Sequence, residues 1–172
     1  MKNIFKISLA AILLLTLTSF QQDIDTNAKI KSVFIYNFTK YIEWPKSYRE
    51  GNFIIGVIGD ESLKKELISM AQIKKVGNQK IEVVEFDPEK IEKCHILVLS
   101  RDKSHLFDLV LKKTKKLSSL LITEGNGLAT AGACINFIVV NNRLKFEMNK
   151  KNIEDRGLKV NSALESMAIL VN

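Results

Sequence analysis

The side chains that most often carry acid–base or metal chemistry are few in this sequence. Its two histidines are His95 and His105, and its two cysteines are Cys94 and Cys134. These four residues lack the spacing of a zinc site, and neither histidine has an evident nucleophile and orienting acid beside it. We therefore predict no catalytic residues, no metal site and no enzymatic activity, with each histidine a core or surface residue.

Two glycine-rich stretches raise the question of a phosphate-binding loop. Residues 56–59 stand between a predicted strand and a predicted helix, but they lack the third glycine of the dinucleotide fingerprint and the lysine of a P-loop. Residues 125–127, with Gly132, lead into a strand, so no helix N-terminus is expected there to hold an anion. We predict that Gly59 makes a tight strand-to-helix turn, that the second stretch is a long connection or a partner-facing loop, and that no cofactor binds.

Apolar periodicity predicts that the first two-thirds of the chain alternate between helices and strands. Residues 28–42 have helical spacing, and Trp44-Pro45 ends that helix. Apolar or β-branched runs predict strands at residues 53–58, 80–86, 95–99 and 119–123. Asp60 is a candidate N-cap of a second helix, and a third is expected over residues 102–116. The expected inward side chains are Ile30, Val33, Phe34, Phe38, Tyr41 and Ile42 on the first helix, Leu63, Leu67, Ile68 and Ala71 on the second, and Leu106, Phe107, Val110 and Leu111 on the third.

The last third of the sequence has a different pattern. Residues 135–140 and 143–148 are predicted strands joined by Asn141-Asn142, a two-residue turn in which asparagine tolerates positive φ. Asn161 is a candidate N-cap of a final helix whose inward side chains are Leu164, Met167, Ala168 and Leu170. The whole pattern predicts an α/β fold of the Rossmann-like, three-layer kind, with a mostly parallel sheet and an antiparallel C-terminal hairpin.

The N-terminal residues predict export from the cytoplasm. Lys2 and Lys6 precede an apolar or hydroxyl-bearing run over residues 7–17, which is typical of the charged and hydrophobic regions of a signal peptide. The run is about half of the ~20 residues that a membrane-spanning helix needs. We predict a cleavable signal peptide at residues 1–20 and a single domain at residues 21–172. Loss of the two lysines lowers the net charge from +7 to +5.

The remaining positive charge is spread along the chain. Its densest run lies at the end of the predicted third helix, where cations interact favourably with the helix dipole, and comprises Lys112, Lys113, Lys115 and Lys116. No aromatic platform or recognition motif accompanies the run. A solvated helix end is therefore favoured over nucleic-acid binding.

Export to an oxidising compartment leaves the state of the cysteines open. Cys94 and Cys134 could close a disulfide across about forty residues. Both stand beside predicted strands, where a buried free thiol is also common. Sequence cannot decide between them, because the distance between the two Cα atoms is not encoded in any local pattern.

Three segments carry a resemblance to a known family. They are KSVFIYNFTKYIEWP at residues 31–45, FIIGVIG at residues 53–59, and a C-terminal set made of INF at 135–137, RLKFEMN at 143–149 and GLKVNS at 157–162. In this order, behind a signal peptide, they closely resemble the YfiR-like (YfiR/HmsC) family of periplasmic regulators. The resemblance covers nearly the whole mature chain.

The resemblance implies a Rossmann-like protein of the periplasm without catalytic activity, which forms a homodimer. Its implied partner is the extracytoplasmic part of a membrane diguanylate cyclase or sensor kinase, whose output it restrains. An OmpA-like outer-membrane lipoprotein opposes the best-known member, and cyclic di-GMP is the implied output. The alternative is a periplasmic small-ligand-binding protein with a crevice at the carboxyl ends of the parallel strands.

Four family-motif positions carry over as binding candidates: Tyr36, Asn37, Trp44 and Asn149. Their own chemistry suggests mainly structural roles, since Trp44 is expected to pack where the chain turns. Tyr36 and Asn37 either find hydrogen-bond partners within the fold, which we favour, or make a site if exposed. Cys94 matches a family cysteine whose usual partner is absent, so the family's redox pairing does not carry over.

Overall fold

The described part of the chain, residues 26–172 of a computed structural model, begins with a long helix. The predicted signal peptide at residues 1–20 lies outside these residues. The first elements are α1 (Thr26–Tyr41), β1 (Ile42–Glu43), a 3₁₀ turn (Lys46–Tyr48), β2 (Phe53–Ile58), α2 (Glu61–Ala71), β3 (Lys75–Val76), β4 (Gln79–Glu85) and β5 (Ile96–Leu99). The remaining elements are a second 3₁₀ turn (Arg101–Leu106), α3 (Phe107–Thr114), β6 (Leu120–Thr123), α4 (Leu128–Ala131), β7 (Ile135–Val140), β8 (Arg143–Met148), α5 (Lys150–Glu154), β9 (Lys159–Val160), α6 (Ser162–Glu165) and β10 (Ile169–Leu170).

A central sheet of eight strands has the order β10-β8-β7-β6-β5-β2-β4-β3. The strands from β4 through β2, β5 and β6 to β7 are parallel neighbours, whereas β8 is antiparallel to β7 and β3 is antiparallel to β4. β1 and β9 form a separate antiparallel pair. Strands β5 and β6 are buried along their whole length, as expected for parallel strands covered on both faces. This architecture confirms the predicted Rossmann-like α/β fold with an antiparallel C-terminal hairpin.

Local signals in the sequence set several element boundaries. Asp60 Oδ1 accepts a hydrogen bond from Leu63 N at 2.9 Å, which confirms it as the N-cap of α2. Asn141 and Asn142 have φ values of 51° and 57°, which confirms the predicted two-residue turn between β7 and β8. Gly59, with a φ of 80°, makes the tight turn from β2 into α2.

An aromatic cluster fixes α1 against the C-terminal hairpin. The rings of Phe34 and Phe38 on α1 lie with their centroids 5.7 Å and 5.1 Å from the ring of Phe146 on β8. Phe137 on β7 completes the cluster at 6.0 Å from Phe34. Such offset and edge-on pairs add to the burial of large apolar surfaces. The opening helix of the family motif is therefore held by residues more than ninety positions away.

The exposed side of α1 differs from the predicted one. Ile30 and Val33 are exposed, whereas Ile35 is fully buried. The buried face of α1 is centred on Ile35, with Ala28 and Phe38 beside it, so Val33 on the opposite side of the helix faces solvent. Ile68 on α2, also predicted to point inward, is exposed as well.

The C-terminal prediction is only partly confirmed. Asn161 does cap α6, since its Oδ1 accepts from Ala163 N at 2.8 Å, but α6 ends at Glu165. The chain then extends into β10, which pairs with β8, and Met167 and Leu170 are exposed rather than inward. The free edge of β8 offers backbone hydrogen bonds that a further helical turn would leave unmade. The third helix likewise begins as a 3₁₀ turn and becomes α-helical only at Phe107.

Among residues 26–172, no helix combines the length and the apolar character that crossing a membrane requires.

Candidate functional site

Trp44 packs against His95 and its aromatic neighbours near the amino ends of the central strands. Trp44 Nε1 donates to the His95 carbonyl O at 3.0 Å, and the indole meets the ring of Phe53 edge-on with centroids 5.0 Å apart. The His95 ring stacks on Phe53 with a centroid distance of 4.2 Å. These contacts give Trp44 the packing role expected where the chain turns.

Both ring nitrogens of His95 are bonded to the backbone. Nδ1 accepts from Ile54 N at 3.0 Å, so Nε2 carries the proton and donates to the Tyr48 carbonyl O at 2.6 Å. Burial is the main cause that lowers the pKa of His95, and the nearby Lys93 adds to it. A ring held neutral on both edges has no free nitrogen for acid–base chemistry.

Asn149, Asn37 and Tyr36 have different surroundings. Asn149 caps α5, because its Oδ1 accepts from Asn152 N at 3.1 Å while its Nδ2 donates to Ala129 O at 3.3 Å. Asn37 is half-buried, and its Oδ1 accepts from Lys40 Nζ at 3.0 Å. Tyr36 is half-exposed and lies in a surface groove. Tyr36 and Trp44 line two different cavities, neither of which includes Asn37 or Asn149.

The groove that contains Tyr36 runs between α1 and α2 and has a volume of about 400 Å³. Its apolar side chains include Val33 on α1 and Ile73 just after α2, which are 55% and 79% exposed. Met70 and Tyr36 are half-buried beside them. The full lining is Lys29, Ser32, Val33, Tyr36, Lys40, Glu66, Ser69, Met70, Ile73 and Lys74. Exposed apolar side chains gathered in one groove are typical of a protein-binding surface.

Positive charge surrounds this α1–α2 groove. Three of its lining residues are lysines, against a single carboxylate, Glu66. Lys40 Nζ and Lys74 Nζ lie 4.8 Å and 5.8 Å from the centre of the Tyr36 ring, which places both cations on the aromatic face. The groove therefore suits a partner that combines an apolar anchor with acidic neighbours.

A second cavity lies at the carboxyl ends of the parallel strands, where the order reverses between β2 and β5. This is where an open α/β sheet is expected to bind a ligand. Lys31 enters the cavity from α1, with its Nζ 2.6 Å from Glu124 Oε1 and 3.4 Å from Asp60 Oδ2. All three side chains are largely buried, and the single lysine pairs with both carboxylates, so these charged groups of the crevice are engaged with one another.

The disulfide left open by the sequence is not formed. Cys94 and Cys134 are free, buried thiols. Cys94 Sγ lies 3.6 Å from Ser119 Oγ, and Cys134 Sγ donates to Asn152 O at 3.7 Å. Burial raises the pKa of Cys94 to about 11 and also raises that of Cys134, so neither is an activated nucleophile.

Sequence reasoning identified Tyr36 but missed the rest of the α1–α2 groove. Val33 was assigned to the core face of α1, and Ile73 and Lys74 follow α2 without a periodic pattern of their own. The available signal was an apolar residue followed by two lysines just after an amphipathic helix. That pattern predicts a groove only once the tertiary structure places α2 beside α1.

In the part of the chain that the structure describes, no group of three or more His, Cys, Asp or Glu side chains could hold a metal ion.

Comparison with known proteins places the chain in a family. No curated protein matches the sequence. The family model described as YfiR/HmsC-like matches residues 28–169, from the first turns of α1 to β10. The chain therefore belongs to the YfiR/HmsC-like family.

Proposed function

We propose that the protein is a non-catalytic periplasmic regulator that binds the extracytoplasmic part of a membrane signalling protein and restrains its output. The family match over residues 28–169 carries this proposal. The proposed receptor is a diguanylate cyclase or a sensor kinase. Binding as a homodimer, and relief by an OmpA-like outer-membrane lipoprotein, belong to the same proposal.

The α1–α2 groove is the proposed contact surface. A partner segment with an aromatic or aliphatic anchor would bury Val33 and Ile73, while its carboxylates would meet Lys29, Lys40 and Lys74. Apolar anchors in such grooves dominate binding energy, and flanking charges mainly set the association rate and specificity. Raised ionic strength should therefore slow association more than it speeds dissociation.

Restraint follows if the protein prefers one receptor conformation. A receptor that exchanges between inactive and active states shifts toward the state that the regulator binds more tightly. To move a receptor from mostly active to mostly inactive, the regulator must prefer the inactive state by several kcal/mol. No covalent chemistry is required of the bound protein.

The proposal is tested by site-directed photocrosslinking in the cell envelope. A photocrosslinking amino acid at position 33 or 73 should capture a membrane diguanylate cyclase or sensor kinase. The matched control is position 139, because Val139 is also an exposed apolar residue, at 60%, but lies on β7 at the far hairpin. Capture from position 139 and not from 33 or 73 would show that another surface binds.

A second measurement links binding to output. Ile73→Asp places a carboxylate in the basic groove and should weaken receptor binding at least about tenfold, the effect of losing one interface anchor. Val139→Asp should leave binding within about twofold. Cells carrying Ile73→Asp should show raised cyclic di-GMP if the receptor is a cyclase, or altered kinase output if it is a kinase. Normal output with Ile73→Asp contradicts the proposal.

A further inference from the structure

Arg156 is a buried cation at the end of α5, with 8% of the residue exposed. Its Nη1 donates to the carbonyl O of Thr114 at 3.1 Å and to that of Ser119 at 3.5 Å, and its Nη2 donates to Thr114 Oγ1 at 3.4 Å. Thr114 is the last residue of α3, so the guanidinium meets the negative end of that helix dipole. Arg156 thus joins α3 to the C-terminal part of the chain.

The partners of Arg156 are all electrically neutral. Within residues 26–172, no carboxylate forms an ion pair with it. A guanidinium keeps its charge and has five N–H donors, of which the described contacts use three. The Nε–H and one Nη2–H are left over, and two such donors on one planar group match the two oxygens of a carboxylate. A buried charge without a counter-charge is unfavourable unless something else supplies one.

The cavity beside Arg156 has room for such a counter-charge. It has a volume of about 480 Å³ and lies between α3 and α5. Lys112 and Lys115 also line it, and they come from the dense lysine run of the sequence. The lining carboxylates are Asp108 and Asp155, so its three cations outnumber its anions by one. Asp155 is bound by Lys151, with Nζ at 2.5 Å from Oδ2, and Asp108 forms no ion pair with Arg156 within residues 26–172.

Leu111 and Gly132 form an apolar wall of the same cavity. They are in close contact, since a Cβ on Gly132 would lie 2.9 Å from Leu111 Cδ2. A ligand that fits both the cations and this wall has an anionic head and a small apolar body. We propose that this cavity binds a small organic carboxylate, with Arg156 holding its carboxylate and Lys112 and Lys115 attracting it.

The test is a titration of the mature protein with benzoate at constant ionic strength, followed by calorimetry and by backbone amide NMR. Saturable binding should shift amides in residues 108–116 and 150–157. Lys112→Gln with Lys115→Gln should raise the dissociation constant at least fivefold. Arg156→Lys keeps the positive charge but loses the paired N–H donors of the guanidinium. It should raise the dissociation constant for benzoate by a similar or larger factor.

The matched control removes the same charge from the same run. Lys113 and Lys116 do not line the cavity, and Lys113 Nζ pairs with Glu89 Oε2 at 2.9 Å. Lys113→Gln with Lys116→Gln should leave the benzoate affinity within twofold. Equal losses in the two double variants would overturn the proposal, because they would indicate general charge attraction.

Two further outcomes also overturn it. One is the absence of a saturable shift at these residues. The other is binding of inorganic phosphate as tightly as benzoate, since the apolar wall would then contribute nothing. If Arg156→Lys fails to fold, the two double-lysine variants still decide, because all four lysines are exposed and none is placed in the core.

Discussion

His95 and Arg156 are both buried, nitrogen-bearing side chains, but they meet the cost of burial in opposite ways. His95 is neutral, and each ring nitrogen has a backbone partner, Ile54 N on one edge and Tyr48 O on the other. Arg156 is charged, and its described partners are three neutral oxygen contacts on Thr114 and Ser119. His95 thus has a partner for each ring nitrogen, as a structural residue does, whereas Arg156 keeps N–H donors with which it could bind a ligand.

The completeness of a buried group's hydrogen bonding therefore says more about its role than its chemical type does. Histidine is the more common catalytic residue. In this fold both ring nitrogens of His95 are already hydrogen-bonded, so neither can bind a substrate. The arginine lies in no recognised motif, yet it borders the largest of the cavities described above.

The largest expected effect is that of removing the His95 ring. His95→Leu leaves the Ile54 N–H unpaired, removes the shorter of two hydrogen bonds to the Tyr48 carbonyl (Gln79 Nε2 still donates to it at 3.1 Å) and loses the stacking on Phe53. We therefore expect a loss of about 3 kcal/mol in the free energy of unfolding. Urea denaturation followed by circular dichroism measures it. His105→Leu, on an exposed 3₁₀ turn, is the control and should change stability by no more than about 0.5 kcal/mol. Similar losses in both variants would contradict the structural role of His95.

Acid should weaken the fold through the same residue. The pKa of His95 is lower in the folded protein than in the unfolded chain, because burial disfavours the charged ring. The unfolded state therefore binds more protons below about pH 6.5, and stability falls as the pH falls, by up to about 1.4 kcal/mol per pH unit from this group.

Unfolding free energies at pH 7.5, 6.5 and 5.5 measure this slope. We expect His95→Leu to flatten it by about one proton equivalent and His105→Leu to retain it. A steeper slope in His95→Leu than in the unsubstituted protein would show that the sign is wrong.

Arg156→Met should cost less than His95→Leu, about 1 kcal/mol. The variant loses the bonds to the end of α3, but it also removes a buried charge that lacks a carboxylate partner. Urea denaturation in the absence of organic acids measures the loss. A loss above about 3 kcal/mol would mean that the guanidinium is as fully integrated as His95, and the comparison between the two residues would fail.

The smallest effect is expected at the two thiols. Because both cysteines are free, a reducing agent should leave the melting temperature unchanged. Burial raises the pKa of Cys94 to about 11, so a thiol reagent at pH 8 should react slowly with the folded protein. After denaturation it should react rapidly with both cysteines. Fewer than two reactive thiols in denaturant would reveal a bridge that the structure does not contain.

Several features of the fold were predictable because they depend on neighbours in sequence. The alternation of apolar strands with amphipathic helices predicted the parallel sheet, and the Asn141-Asn142 turn predicted the hairpin. Caps at Asp60 and Asn161 are side-chain-to-backbone bonds over two or three residues. Such signals need no information about distant segments.

The errors arose where distant segments compete. Val33 has the right spacing for the core, but the face of α1 that packs into the core is centred on Ile35 and includes Phe38, so Val33 faces solvent. Residues 167–170 have helical periodicity, yet the open edge of β8 draws Ile169 and Leu170 into a strand. Periodicity shows that a face is apolar, and tertiary contacts choose which face is covered.

By itself, the sequence determined the α/β class, the hairpin, the caps and the motifs that place the chain in its family. The tertiary structure alone decided that Val33, Tyr36 and Ile73 share a basic groove, and that the Arg156 guanidinium meets the end of α3 without a carboxylate. It also left both cysteines as separate free thiols. The physical reason is that local patterns encode backbone conformation and periodicity, whereas a binding surface depends on which residues the packed helices bring together.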